Sequence, residues 1–212
     1  MTKRLVAVAG LLLALAGCNR PELADYFPLT PGARRIMRIE TRMISGRDTT
    51  DTVQIRTVEV VHGEKELPRL GKVWVVESPR DTGRPLYSYF RKHDDGIIQV
   101  LPTQDSTPQE LLYLSLPLVK GLKWYDTKER REVIEVVARE TVAVEAGRFP
   151  DCFQVRVSST GADWTMCQWL APDIGPVKWE NRAAWTGKDG VRRELLRKAE
   201  LVSYLVPKKA GE

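Results

Sequence analysis

Few side chains in this 212-residue sequence have reactive chemistry, and their spacing names no reaction. There are three cysteines (Cys18, Cys152 and Cys167) and two histidines (His62 and His93). His93-Asp94-Asp95 is the nearest approach to a cation-binding run, but it lacks the regular spacing of a calcium loop. No H-E-x-x-H, G-x-S-x-G or phosphate-cradling glycine loop is present. His62 falls in a Gly-Glu-Lys stretch that reads as a loop, and His93 in an Asp-Asp-Gly turn, positions where histidine is ordinarily just solvated. Fourteen residues separate Cys152 from Cys167, which is not C-x-x-C, and no histidine neighbours either. The expectation is a protein without catalytic residues, metal or cofactor.

The elements that would position these residues are mostly strands. Met37, Ile39, Thr41 and Met43 alternate with Arg38, Glu40 and Arg42, the period of two expected of a half-buried strand. Similar or β-branched runs occupy 53–57, 72–77, 86–91, 97–101, 133–138, 141–144, 153–157, 164–170 and 177–180. His93 to Gly96 reads as a hairpin turn. Two stretches suit a helix: Thr107–Leu116, with Thr107 as cap and Pro108 in the first turn, and Arg193–Leu205, whose apolar residues fit either period. The fold class is mainly β, an antiparallel sheet with one or two short helices. Pro28-Leu29-Thr30-Pro31-Gly32 is echoed by Pro117-Leu118-Val119-Lys120-Gly121, and Asp94-Asp95-Gly96 by Asp173-Ile174-Gly175. A duplication of that kind would build one curved sheet from two similar halves.

The first eighteen residues carry the compartment. Lys3 and Arg4 precede an almost wholly apolar Leu5–Ala16, which as a helix spans about 18 Å, short of the ~30 Å hydrocarbon core. That fits a secretory leader better than a permanent span. The sequence Leu15-Ala16-Gly17-Cys18 resembles the lipobox of bacterial lipoproteins. The resemblance implies cleavage before Cys18, a diacylglycerol on its sulfur and acylation of the new amine. Asn19, where inner-membrane retention would want Asp, implies the outer membrane, with the protein facing the periplasm. The organisation expected is then a leader at 1–17, a lipidated tether at 18–25, a single β-rich domain at 26–207 and a basic tail at 208–212. Removing the leader takes Lys3 and Arg4 from the 33 basic residues, leaving 31 against 28 acidic ones, a net charge of +3. So small and scattered a charge is no nucleic-acid footprint.

In an oxidising compartment the remaining pair, Cys152 and Cys167, favours a disulfide. A hairpin with a tight turn at Ser158–Gly161 sets them opposite each other. It puts Phe153, Val155 and Val157 on one face against Met166, Trp164 and Ala162, so the apolar pattern agrees with the bridge. Such a closure contributes about 3 kcal/mol. Most of the six tryptophans lie in strand readings, as core or as the lining of an apolar concavity, and Trp74, Trp124 and Trp164 are the candidate ligand contacts.

Tyr26-Phe27-Pro28-Leu29-x-x-Gly32, Pro117-Leu118-x-x-Gly121-x-x-Trp124, Val144-Glu145-Ala146-Gly147-Arg148-Phe149-x-x-Cys152 and Trp169-Leu170-Ala171-Pro172-Asp173-Ile174-Gly175-Pro176-Val177-Lys178 together resemble a group of bacterial envelope lipoproteins. The resemblance implies a curved antiparallel half-open barrel similar to the LolA/LolB-type lipoprotein carriers, and carries no catalytic residues. It implies a membrane-tethered, non-catalytic binding module for an apolar ligand or a partner lipoprotein, or else a structural envelope subunit without a cavity.

Overall fold

The computed structural model describes residues 24–79, 84–103, 107–127, 129 and 131–207. The leader, Cys18, most of the tether and the 208–212 tail lie outside the described residues.

Alternation of apolar and polar side chains carries through nearly the whole described chain, and it produces twelve strands. These are β1 (Arg34–Ser45), β2 (Asp48–Leu67), β3 (Gly71–Ser78), β4 (Leu86–His93), β5 (Gly96–Leu101), β6 (Gln109–Ser115), β7 (Lys123–Tyr125), β8 (Glu132–Val144), β9 (Gly147–Ser159), β10 (Trp164–Ala171), β11 (Gly175–Thr186) and β12 (Arg192–Leu205). They form one antiparallel sheet in the order β6-β5-β4-β3-β2-β1-β12-β11-β10-β9-β8-β7. The first and last strands are therefore central neighbours, and each half of the chain meanders outward from them. The sheet curls until its two edges meet. Leu112 N–H of β6 donates to Asp126 O just after β7 (3.0 Å), and Trp124 Nε1 donates to Leu112 O (3.2 Å). These bonds make it a nearly closed barrel rather than an open half-barrel.

Neither expected helix forms, and no helix occurs among the described residues. Gln109–Ser115 is strand β6, where Leu114 is wholly buried against β5. Arg192–Leu205 is β12, where Leu195, Arg197, Ala199 and Leu201 alternate on one face opposite Met43, Thr41, Ile39 and Met37 of β1. Pairing on both sides, with β1 and β11, decides between two periods that the sequence alone leaves equal.

The internal echo has a structural counterpart. Gly32 and Gly121 each adopt positive φ (81° and 88°), a region in which glycine carries no Cβ penalty. Gly32 N–H donates to Val61 O of β2 (2.8 Å) and Gly121 N–H to Val136 O of β8 (2.8 Å). Ala33 N–H returns to Thr30 O as Leu122 N–H does to Val119 O, both at 3.0 Å. Val61 N–H bonds Ala33 O as Val136 N–H bonds Leu122 O, again both at 3.0 Å. The same three-bond clamp thus locks each lead-in onto the second strand of its own half. The matching Asp-x-Gly turns also correspond, joining β4 to β5 and β10 to β11.

The main core fills the barrel with Val61, Val76, Phe90, Ile97, Leu114, Ile134, Val136, Phe153, Val155, Val157 and Leu170. The first lead-in plugs it: Phe27 packs edge-on against Phe90 (5.1 Å between ring centres) and lies 5.2 Å from the Tyr113 ring. A buried phenylalanine contributes about 1.5–3 kcal/mol. A second cluster forms where the β8–β9 hairpin bends at irregularities near 136–138 and 140–142. Its tip reaches β12 and β1, through Ala146 N–H to Leu201 O (2.9 Å) and Arg38 to Glu145 (2.6 Å).

That hairpin region corrects the cysteine pairing. The β9–β10 register sets Thr165 opposite Ser158 and Cys167 opposite Arg156, leaving Cys152 four residues further along β9. Four residues of strand are about 13 Å, well past the ~7 Å limit for a bridge. Both thiols are free. The turn falls two residues later than expected, at 160–163, where its backbone has partners: Thr160 N–H bonds Arg131 O (2.9 Å), and Gly161 and Ala162 N–H bond Ser159 Oγ (3.2 and 3.1 Å).

Candidate functional site

Successive β10 side chains point to opposite faces of the sheet, and each face carries a concavity. Thr165 and Cys167 line one of about 550 Å³ on the outer face, with Glu40, Arg42, Asp51, Glu180, Arg182 and Lys198. Its charges largely cancel: Arg42 pairs with Asp51 (2.8 Å), Arg182 with Glu194 (2.6 Å) and Lys198 with Glu40 (3.6 Å). It is a solvated, salt-bridged surface.

Trp164, Met166 and Gln168 line the other, a half-open cavity of about 540 Å³ on the inward face, which shares Asn181 and Arg197 with the first. Residues of other strands complete its wall. From β1 come Arg35, Met37 and Ile39, from β2 Arg56, Val58 and Glu59, from β11 Trp179, Asn181 and Ala183, and from β12 Leu195 and Arg197, with Tyr113 of β6 also lining it. The register brings these groups together. Trp164 is opposite Ala183, which is opposite Leu195, and Met166 is opposite Asn181, which is opposite Arg197.

The cavity mixes apolar side chains with polar and charged ones, three arginines among them, a composition suited to an amphipathic small molecule. Arg35 is almost fully buried; it pairs with Glu59, and its Nε–H donates to Ile174 O (3.1 Å). Tyr113 and Gln168 meet at 3.3 Å, and burial pushes the Tyr113 hydroxyl up to about 12, so it stays protonated. Arg197 differs from Arg35. Its guanidinium lies 5.5 Å from the centre of the Trp179 ring, and no carboxylate among the described residues pairs with it. Burial, and secondarily the charge of Arg56, lower its pKa.

Of the candidate tryptophans, Trp164 lines this cavity. Trp124 is buried in the core at the β6–β7 seam, and Trp74 packs against the main core from β3. Cys152 is buried in the second cluster, its thiol pushed up to about 11 by burial. Cys167 is half-buried on the outer face, its pKa also raised by burial. His62 sits on β2 rather than in a loop, with Nε2 2.7 Å from Glu77 Oε2. His93 closes the turn as expected. No cluster of three or more metal-ligating side chains occurs among the described residues.

Trp179, Asn181 and Arg197 were not marked by sequence reasoning. A signal for Arg197 exists: it interrupts, between Leu195 and Ala199, an inward run that Leu201 continues as apolar.

No protein-family model matches the chain, and no curated protein sequence matches it. Among solved structures it is similar to a candidate lipoprotein of Parabacteroides distasonis, at 16% identity over 87% of this chain and 100% of that one, with a TM-score of 0.47. It is also similar to a candidate exported protein with a YmcC-like fold from Bacteroides fragilis, at 18% identity over 86% of this chain and 99% of the other, with a TM-score of 0.46.

Proposed function

We propose that this chain is a cell-envelope lipoprotein, acylated at Cys18, whose barrel acts by binding an apolar or amphipathic ligand rather than by catalysis. The cavity of about 540 Å³ lined by Trp164, Trp179, Met37 and Met166 carries this reading, its volume lying within the range of small-molecule pockets. The anchor rests on the leader and on Leu15-Ala16-Gly17-Cys18, and Asn19 favours the outer membrane, with the barrel in the periplasm.

The start of the described chain bears on where such an anchor would hold the barrel. Asp25 is pinned to the β10–β11 turn, its N–H donating to Asp173 Oδ1 (2.9 Å) and its carbonyl accepting from Asp173 N–H (2.8 Å), and its carboxylate pairs with Lys92. Seven residues of extended chain reach at most about 25 Å. A lipid on Cys18 therefore keeps the plugged end of the barrel close to the bilayer.

Native mass spectrometry of the protein prepared without detergent tests the binding role. Co-purified amphiphile that is lost in Trp164→Ala supports it. A clean mass for the bare chain, with tryptophan fluorescence unmoved by added alkyl ligands, overturns it. Cys18→Ser tests the anchor: the protein should leave the membrane fraction. A role as an envelope interaction subunit is the second reading, favoured by Val53 and Ile55, which are 64% and 58% exposed on β2.

A further inference from the structure

The binding-module reading leaves open which ligand chemistry the cavity selects, and Arg197 narrows it. A guanidinium taken partly out of water raises the energy of the folded chain unless an anion meets it. Arg35, in the same cavity, has Glu59 for this purpose, whereas Arg197 has only the face of Trp179, 5.5 Å away, among the described residues. Arg56, on the same wall, gives Arg197 no counter-charge: it lowers the Arg197 pKa rather than stabilising its charge. Asn181, directly across from Arg197, adds a neutral amide donor. Trp164, Ala183 and Leu195 lie along the adjoining row of the sheet and continue the lining as apolar surface. The cavity thus has a cationic point and an apolar arm.

We infer that the cavity holds an anionic amphiphile, with its carboxylate or phosphate on Arg197 and Asn181 and its alkyl chain along Trp164, Ala183 and Leu195. This rests on the binding-module reading, and the test separates the two.

Dodecanoate, dodecyl phosphate and dodecanol are titrated into the full chain carrying Cys18→Ser, read by tryptophan fluorescence. The expected result is that at least one of the anions binds about tenfold or more tightly than the neutral alcohol, the gain of a charge-assisted contact. Comparing the two anions distinguishes a fatty-acid from a phospholipid-like headgroup. Arg197→Gln should bring the anions to within about twofold of dodecanol measured on the same variant, while Arg197→Lys keeps most of the preference. Equal wild-type affinity for all three probes, or a preference that survives Arg197→Gln, overturns the anion subsite while leaving the binding module standing. No binding of any probe overturns both.

Discussion

Trp124→Phe tests whether the barrel is closed at its seam. Trp124 is 7% exposed in the main core, and its indole N–H is the side-chain bond that ties β7 to Leu112 O of β6. Phenylalanine keeps an aromatic ring but has no donor. Leaving a buried acceptor unmet costs about 1–3 kcal/mol, and the volume lost from indole to phenyl adds on the order of 1 kcal/mol. A total of about 2–4 kcal/mol lowers the Tm by roughly 10 °C for a domain of this size. Thermal unfolding followed by circular dichroism measures it, with Trp185→Phe as control. Trp185 is 41% exposed, and its change should stay within about 0.5 kcal/mol. Hydrogen exchange adds a local readout: the Leu112 amide, bonded to Asp126 O, should exchange faster in Trp124→Phe while amides of the central β1–β12 pair hold. A Tm for Trp124→Phe indistinguishable from that of Trp185→Phe would refute the reasoning, because the edges would then be held by something other than this bond.

The repeated clamp predicts a graded pair. Gly121→Ala meets nothing within 4 Å, so only its positive φ is penalised, at about 1 kcal/mol, whereas Gly32→Ala also brings a Cβ to 3.2 Å from Pro207 and should destabilise more in urea titrations. Both free thiols have pKa values raised by burial, so neither should react with a maleimide or disulfide reagent near neutral pH until the chain is unfolded, as mass spectrometry of labelled protein would report. Asp189, held well below the usual carboxylate range by Arg193 and the Val191 amide, contributes stability that is present above its unfolded pKa of about 4 and lost as the pH falls through the lower folded value. Asp189→Asn should therefore flatten the acid side of the Tm–pH profile, lowering the Tm above about pH 5, where the contribution is present, and changing it little at the acid end.

Strand faces were legible in the sequence and strand partners were not. Met37 and Ile39 on β1, and Phe153, Val155 and Val157 on β9, face the interior as their alternation demands. The β9–β10 register was misread because apolar patterning constrains only which face is buried. Sliding one strand by two or four residues keeps Phe153, Val155 and Val157 against the even-numbered face of β10, so the adopted and expected registers satisfy the pattern equally. Backbone bonds within the 160–163 turn, and from it to Arg131, separate them, and no side-chain pattern reports those. The Arg193–Leu205 stretch misled for a related reason, since Leu195, Leu196, Leu201 and Val202 fit either period until two neighbouring strands take them up. The cavity was half legible. Trp164 was marked by type, whereas Trp179 and Arg197 meet only through the β11–β12 register.

The central position of the first and last strands governs how the molecule can come into being. Arg34 pairs with Leu205, so the pairing at the middle of the sheet joins parts of the chain some 170 residues apart. Hairpins such as β8–β9 can form from local sequence within microseconds, but β1 must wait for β12 before its second edge is covered. Until the last fourteen-residue strand arrives, the growing molecule is two separate meanders with an exposed seam between them. Loss of β12 by truncation or proteolysis would therefore divide the sheet at its midline, and would remove Leu195 and Arg197 from the cavity wall in the same stroke.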